Sequence, residues 1–148
     1  MLKIDKKDVD FLVTSAMVQE VEDILGRDLP RIKKIIEGVN CKKLEKVYFV
    51  ACGSPLSAAK TAKSLFDRYS SLPCEAYSGW NFLDEQPAKI DGTCLVIGIS
   101  HYGKTEEVYR SLELARAKGA YTVAVTNKAN NVRFGKLLFA GGIAASMT

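Results

Sequence analysis

Hydrophobic positions change their spacing along this chain, and the changes divide it. Over residues 5–25, Val9, Leu12, Val13, Ala16, Met17, Val21, Ile24 and Leu25 recur three and four apart, the period of one helical face. Gly26 follows as a stop signal, and Pro30 is placed to open a second helix over residues 31–36 that ends near Gly38. Beyond Cys41 the character shifts. Residues 46–53, KVYFVACG, form a run of β-branched and aromatic side chains closed by glycine, which reads as a buried strand. Helical spacing returns at Leu56, Ala59, Ala62, Leu65, Phe66 and Tyr69, with Ser54 placed as N-cap and Pro55 in the first turn.

The unit then repeats. CEAY (74–77) is a weak strand and TCLVIGIS (93–100) a strong one; residues 105–118 form a helix with Val108, Leu112 and Ala115 on one face; Gly119 stops it; YTVAVTN (121–127) is another strand. Strands alternating with helices through short loops predict an α/β fold: a parallel sheet with helices on both faces. Past Asn127 the pattern weakens, with KLLFA (136–140) as a further strand before a glycine pair and no helix after it. The two leading helices precede any strand, so their apolar stripe covers either this sheet or a partner subunit, and a homodimer is expected.

Composition narrows the classes. A chain of 148 residues, 47% hydrophobic and 26% charged, fits one globular core. The net charge of +4 is too small and dispersed to point to nucleic acid. No run approaches the ~20 apolar residues of a membrane span, and MLKIDKKDVD is not followed by the apolar stretch of a signal peptide. Cys41, Cys52, Cys74 and Cys94 form no C-x-x-C pair and have no adjacent histidine, which disfavours zinc. Cys52 and Cys94 fall in or beside apolar runs, where cysteine acts as a small core residue, so a cytoplasmic, reducing location is expected.

In open parallel sheets, ligands sit beyond the carboxyl ends of strands where the strand order reverses. Two loops there carry chemistry. In GISHYGKTEEV (98–108), Ser100 ends the strand, Gly103 permits the turn and Thr105 caps the helix, so two hydroxyls and several first-turn amides converge on one phosphate. Glu106 and Glu107 suit a helix start but repel such an anion, so the donors must aim away from them, with Lys104 as a partial offset. His101 reads either as a loop histidine bonded to backbone or as a ligand contact, and Tyr102 lines or covers the pocket. The second loop is Gly53-Ser54-Pro55-Leu56-Ser57, and YSGWNFLDE (77–85) offers Ser78, Trp80, Asn81 and Glu85 for sugar contacts or packing. Neither a Walker A loop nor G-x-G-x-x-G is present, which disfavours ATP and NAD.

From about Lys46 to Asn127 these motifs resemble the sugar isomerase (SIS) domain family. GISHYGKTEEV is similar to the family's Ser-x-Ser-Gly-x-Thr phosphate loop, and ACGSPLSAAK (51–60) to its Ala-Cys-Gly-Thr-Ser stretch. Ser-His-x-Gly-x-Thr brings the chain closer to the fructosamine-6-phosphate deglycase branch than to the isomerase part of glucosamine-6-phosphate synthase. The resemblance implies a three-layer α/β/α sandwich around a parallel, flavodoxin-like five-stranded sheet. It divides the chain into N-terminal helices (1–40) and one SIS domain (41–148), incomplete beside two-lobed members.

The same resemblance implies phosphosugar binding by Gly53, Ser54, Ser57, Ser100, His101, Tyr102, Gly103 and Thr105. Tyr102 stands for a family serine, and Pro55 for the ligand-binding serine of the first loop, with Ser57 as a compensating contact. The implied ligand is a phosphorylated sugar or fructosamine. The implied chemistry is ring opening, proton transfer between adjacent carbons, or amine release from a Schiff-base adduct, by a carboxylate and an imidazole. No metal or redox cofactor is expected. The family's acid–base residues lie in the half this chain does not contain, so catalytic residues are left unassigned; a binding-only phosphosugar sensor and a folded remnant stand as alternatives. The stretch after Asn127 lacks the family's Ser-x-Leu-Ala-x-x-Ala-Asp pattern, and a truncated or altered reading frame is the corresponding expectation.

Overall fold

The computed structural model describes Gly26, residues 29–126 and residues 143–146. Within them run α1 (Leu29–Glu37), a 3-10 turn (Cys41–Lys43), β1 (Lys46–Ala51), α2 (Ser54–Tyr69), β2 (Cys74–Ser78), α3 (Gly79–Glu85), β3 (Cys94–Ile99), α4 (Glu106–Ala117), β4 (Tyr121–Thr126) and β5 (Ile143–Ser146). All strand pairs are parallel, in the order β2-β1-β3-β4-β5. The expected helix over residues 5–25 and the KLLFA segment lie outside the described residues, and the last described strand falls three residues beyond KLLFA, at Ile143–Ser146.

Why the strands read as unbroken apolar runs follows from the two faces. Along β1, Tyr48 and Val50 enter one core, while Val47, Phe49 and Ala51 enter the other. Strand period is two, so a strand covered on both sides has no polar face to alternate with. The first core packs β1, β3 and β4 against Phe82 of α3 and Val108, Leu112 and Ala115 of α4. The second packs Val39, Leu95 and Val123 with Ala59 of α2, joined by Leu56, Ala62 and Phe66. Helices therefore cover both faces, as the alternation of elements predicts.

Aromatic side chains lock the outer half of the sheet. Tyr48 meets Phe82 edge-on at 5.7 Å between ring centroids, and Phe82 meets Tyr77 at 5.8 Å. The Tyr48 hydroxyl, carried into a fully buried position, donates to the Lys89 carbonyl at 2.6 Å, which removes the penalty of an unpaired polar group. On the opposite face Phe49 and Phe66 are 6.0 Å apart.

One element escaped the sequence reading. Residues 79–85 form α3 directly at the end of β2, where Ser78 accepts a hydrogen bond from the Asn81 amide at 3.2 Å and caps the helix. The polar residues of that stretch are thus partly committed to structure. The start of α2 also differs by one position: Gly53 occupies the N-cap, and Ser54 is the first helical residue.

Candidate functional site

The strand order reverses between β1 and β3, because the chain leaves β1 for β2 on one side and returns to β3 on the other. Loops leaving two such strands run to helices on opposite faces, which opens a gap at their carboxyl ends. A cleft of about 350 Å³ lies there, lined by Cys52, Pro55, Ile99, Ser100, His101, Tyr102, Lys104 and Thr105.

The 100–105 loop forms its inner wall. Ser100 continues the sheet, its amide donating to Val125 at 3.0 Å, and its side chain is buried. The Gly103 amide closes a turn onto the Ser100 carbonyl at 3.0 Å. Gly103 and Gly53, one in each loop, both adopt φ 62°, a left-handed conformation that glycine enters without steric cost. Thr126, at the end of β4, donates from Oγ1 to the His101 carbonyl at 3.2 Å and ties the loop to the neighbouring strand.

Thr105 occupies the N-cap position of α4, but its hydroxyl does not cap the helix. This corrects the sequence expectation. Its Oγ1 instead lies 2.8 Å from Ser100 Oγ, and Ser100 Oγ accepts a weaker contact from the Thr105 amide at 3.4 Å. The two hydroxyls therefore sit side by side over the helix start. The amides of a helix's first turn have no partner within the helix, and the helix dipole is positive at this end. Paired hydroxyls and the positive end of the helix dipole give this part of the cleft a lining suited to an anion.

The α2 side contributes differently. Pro55 has no amide hydrogen, and the Leu56 amide is spent on the Gly53 carbonyl at 3.0 Å. Cys52 and Pro55 present an apolar wall. Gly53, Ser54 and Ser57 are at the head of α2 and do not line the cleft, and Gly103 is buried behind the loop. Ser100, His101, Tyr102 and Thr105 are brought together in it. The His101 and Tyr102 rings meet edge-on at 4.4 Å, and Tyr102 remains 59% exposed, a cover over the opening rather than a buried wall.

Cys52 and Glu107 are neighbours that nothing in the sequence pairs. Cys52, read there as a core residue, lines the cleft, and its Sγ donates to Glu107 Oε1 at 2.9 Å. Burial pushes the Cys52 thiol up, the Glu107 bond pushes it further, and a backbone bond with Gly79 works in the opposite direction. Only its position just past the last buried residue of β1 signals this in the sequence. Among the described residues, no group of three or more side chains is placed to hold a metal ion, and no helix is long and apolar enough to cross a membrane. The four cysteines are unpaired.

Comparison with known proteins gives the family and the fold. The profile of the SIS domain matches residues 40–132. The chain is 55% identical over 131 residues to fructoselysine 6-phosphate deglycase of Escherichia coli (strain K12), which covers 88% of this chain and 38% of that protein. It is 35% identical over 98 residues to a fructosamine deglycase of Bacillus subtilis (strain 168), covering 66% of this chain and 30% of the relative. The chain thus spans well under half the length of these relatives. Among solved structures, tagatose-6-phosphate ketose/aldose isomerase from Escherichia coli superposes with a TM-score of 0.68 at 13% identity, covering 82% of this chain and 36% of that one, a likeness of fold.

Proposed function

The chain belongs to the SIS domain family, and from that premise we propose that its β1/β3 cleft binds the phosphate of a phosphorylated sugar or fructosamine. In this reading the chain is the phosphosugar-binding part of a protein related to fructosamine-6-phosphate deglycases and sugar-phosphate isomerases. The observation that carries the proposal is the Ser100–Thr105 hydroxyl pair, 2.8 Å apart at the start of α4 and open to the cleft. Each hydroxyl donates one proton and accepts others. In the free site one proton bridges the pair; a phosphate oxygen takes both, while the first-turn amides meet its remaining charge.

The sugar then extends along the wall formed by Cys52 and Pro55 toward His101 and Tyr102. That wall offers apolar contact to carbon–hydrogen faces, and the His101–Tyr102 corner offers the polar and aromatic contacts. Similarity to the deglycase of Escherichia coli supports a fructosamine ligand over a simple hexose phosphate. The unpaired cysteines support a reducing, cytoplasmic setting.

Calorimetric titration with fructose 6-phosphate, glucosamine 6-phosphate and a phosphorylated fructosamine tests the reading. Thr105→Ala removes one hydroxyl bond to a charged group, which is worth about 1.5–3 kcal/mol, so affinity should fall roughly 10- to 100-fold. Equal affinity in wild type and variant refutes the assigned loop. Turnover of the same compounds distinguishes an enzyme from a binding module.

A further inference from the structure

The start of α4 poses an electrostatic problem for any anion bound there, because its first two residues are Glu106 and Glu107. We propose that Cys52 is a positioning residue that solves half of it: by donating a hydrogen bond to Glu107, the thiol holds that carboxylate against the far wall and leaves the helix start available to a phosphate. The inference rests on the phosphosugar reading above and deepens it.

Three contacts fix Glu107 on that side. Its stem presses on Gly79 at the head of α3, so closely that a Cβ there would lie 2.4 Å from Glu107 Cγ. Ser111 Oγ lies 2.6 Å from the Glu107 carbonyl and 3.2 Å from the Gly79 carbonyl, stitching α4 to α3. The carboxylate end then meets the Cys52 thiol at 2.9 Å, and that thiol is itself part of the cleft wall. A hydrogen bond to an ionised acceptor is stronger than a neutral one. Without it, the carboxylate gains solvation by swinging toward the open cleft, where it faces the phosphate as a like charge.

The role is separable from simple packing because it depends on charge. Titration of the 148-residue chain with fructose 6-phosphate, and with inorganic phosphate as a probe of the anion subsite alone, should show Cys52→Ala about fivefold weaker or more for both. Cys52→Ser, which keeps a donor, should stay near wild type. Cys52→Ala/Glu107→Gln should recover to within about twofold, since no charge remains to repel the anion. Glu107→Gln alone should bind as well as wild type or better, and it reports even if the alanine variant fails to fold.

Wild type that binds neither probe overturns the reading of the site, and this inference with it. Wild type that binds, with Cys52→Ala equally tight or the double variant as weak as Cys52→Ala, overturns this inference alone. Weaker binding by Glu107→Gln does the same.

Discussion

Gly98, the penultimate residue of β3, lies under α4, and replacing it with alanine is the most direct test of how tightly that helix is seated. A Cβ at this position would lie 2.7 Å from Leu112 Cδ1, 2.9 Å from Leu112 Cγ and 3.0 Å from Val108 Cγ1. Carbon atoms in contact sit about 3.5–4.0 Å apart, so each contact is too short by roughly half an ångström or more. Leu112 is 1% exposed and Val108 fully buried, which leaves neither an open direction to move. Overpacking of this kind costs about 1–3 kcal/mol, from which about 0.5–1 kcal/mol is recovered by removing glycine from a strand. A net loss near 1–2 kcal/mol lowers the melting temperature of a domain this size by about 2–8 °C. A double-mutant cycle then isolates the clash. Leu112→Ala alone should cost about 2–5 kcal/mol, but with Gly98→Ala present the new methyl enters the space vacated, giving a favourable coupling of about 1 kcal/mol. Thermal and urea unfolding of the four proteins provides the measurement. A Gly98→Ala variant as stable as wild type, or strict additivity in the cycle, would show that α4 does not rest on the glycine.

Thr126→Val keeps the shape of a buried side chain while deleting the bond to the His101 carbonyl. It should cost about 0.5–1.5 kcal/mol in urea unfolding and speed amide exchange across the 100–105 loop; unchanged exchange at Gly103 would argue that β4 does not hold that loop. For pH dependence, burial pushes the Glu75 carboxyl up, but its bonds to Lys46 and Tyr77 outweigh this and leave it below the usual value of 4.5. A carboxyl lowered by folding stabilises the native state above its unfolded pKa, and that contribution disappears as pH falls through the folded value. Glu75→Gln should therefore be less stable than wild type at about pH 7 and close to it at about pH 3, with a small gap because the pair is partly exposed. A gap of constant size across that range would remove the linkage.

Much of the architecture was legible because it rests on short-range pattern. The run from Lys46 to Ala51 declares a strand covered on both faces, and Val108, Leu112 and Ala115 declare which side of α4 meets the sheet. The helix α3 did not show itself, since seven residues give less than two full turns of period and its cap, Ser78, is also the last residue of β2. At the site, the hydroxyl residues could be singled out, yet their spacing suggested a cap on α4 rather than a Ser100–Thr105 pair. Which partner a threonine chooses depends on where the preceding turn delivers it, and Gly103 turns the chain back toward Ser100. The Cys52–Glu107 bond spans 55 residues and the Thr126–His101 bond 25, distances over which pattern carries no information and only the register of β1, β3 and β4 brings the groups together.

The strand order also bears on why the cleft lies at the β1/β3 boundary. Between β3 and β4 the sheet continues past Ile99: the Ser100 amide still pairs with Val125, and Thr126 still reaches His101, which ties the two strand ends together. At the end of β2 the chain passes without interruption into α3, whose N-cap bond is made by Ser78. At the β1/β3 boundary the outgoing connections lead away from each other along the sheet, α2 toward β2 and α4 toward β4, and on opposite faces, α2 to the core of Phe49 and Ala59 and α4 to the core of Tyr48 and Leu112. The chain separates there, and Ser100 and Thr105 line the opening. The proposed anion site thus lies where the strand order reverses. On that proposal, Ser100, Thr105 and the Cys52–Glu107 pair set which anion the opening accepts.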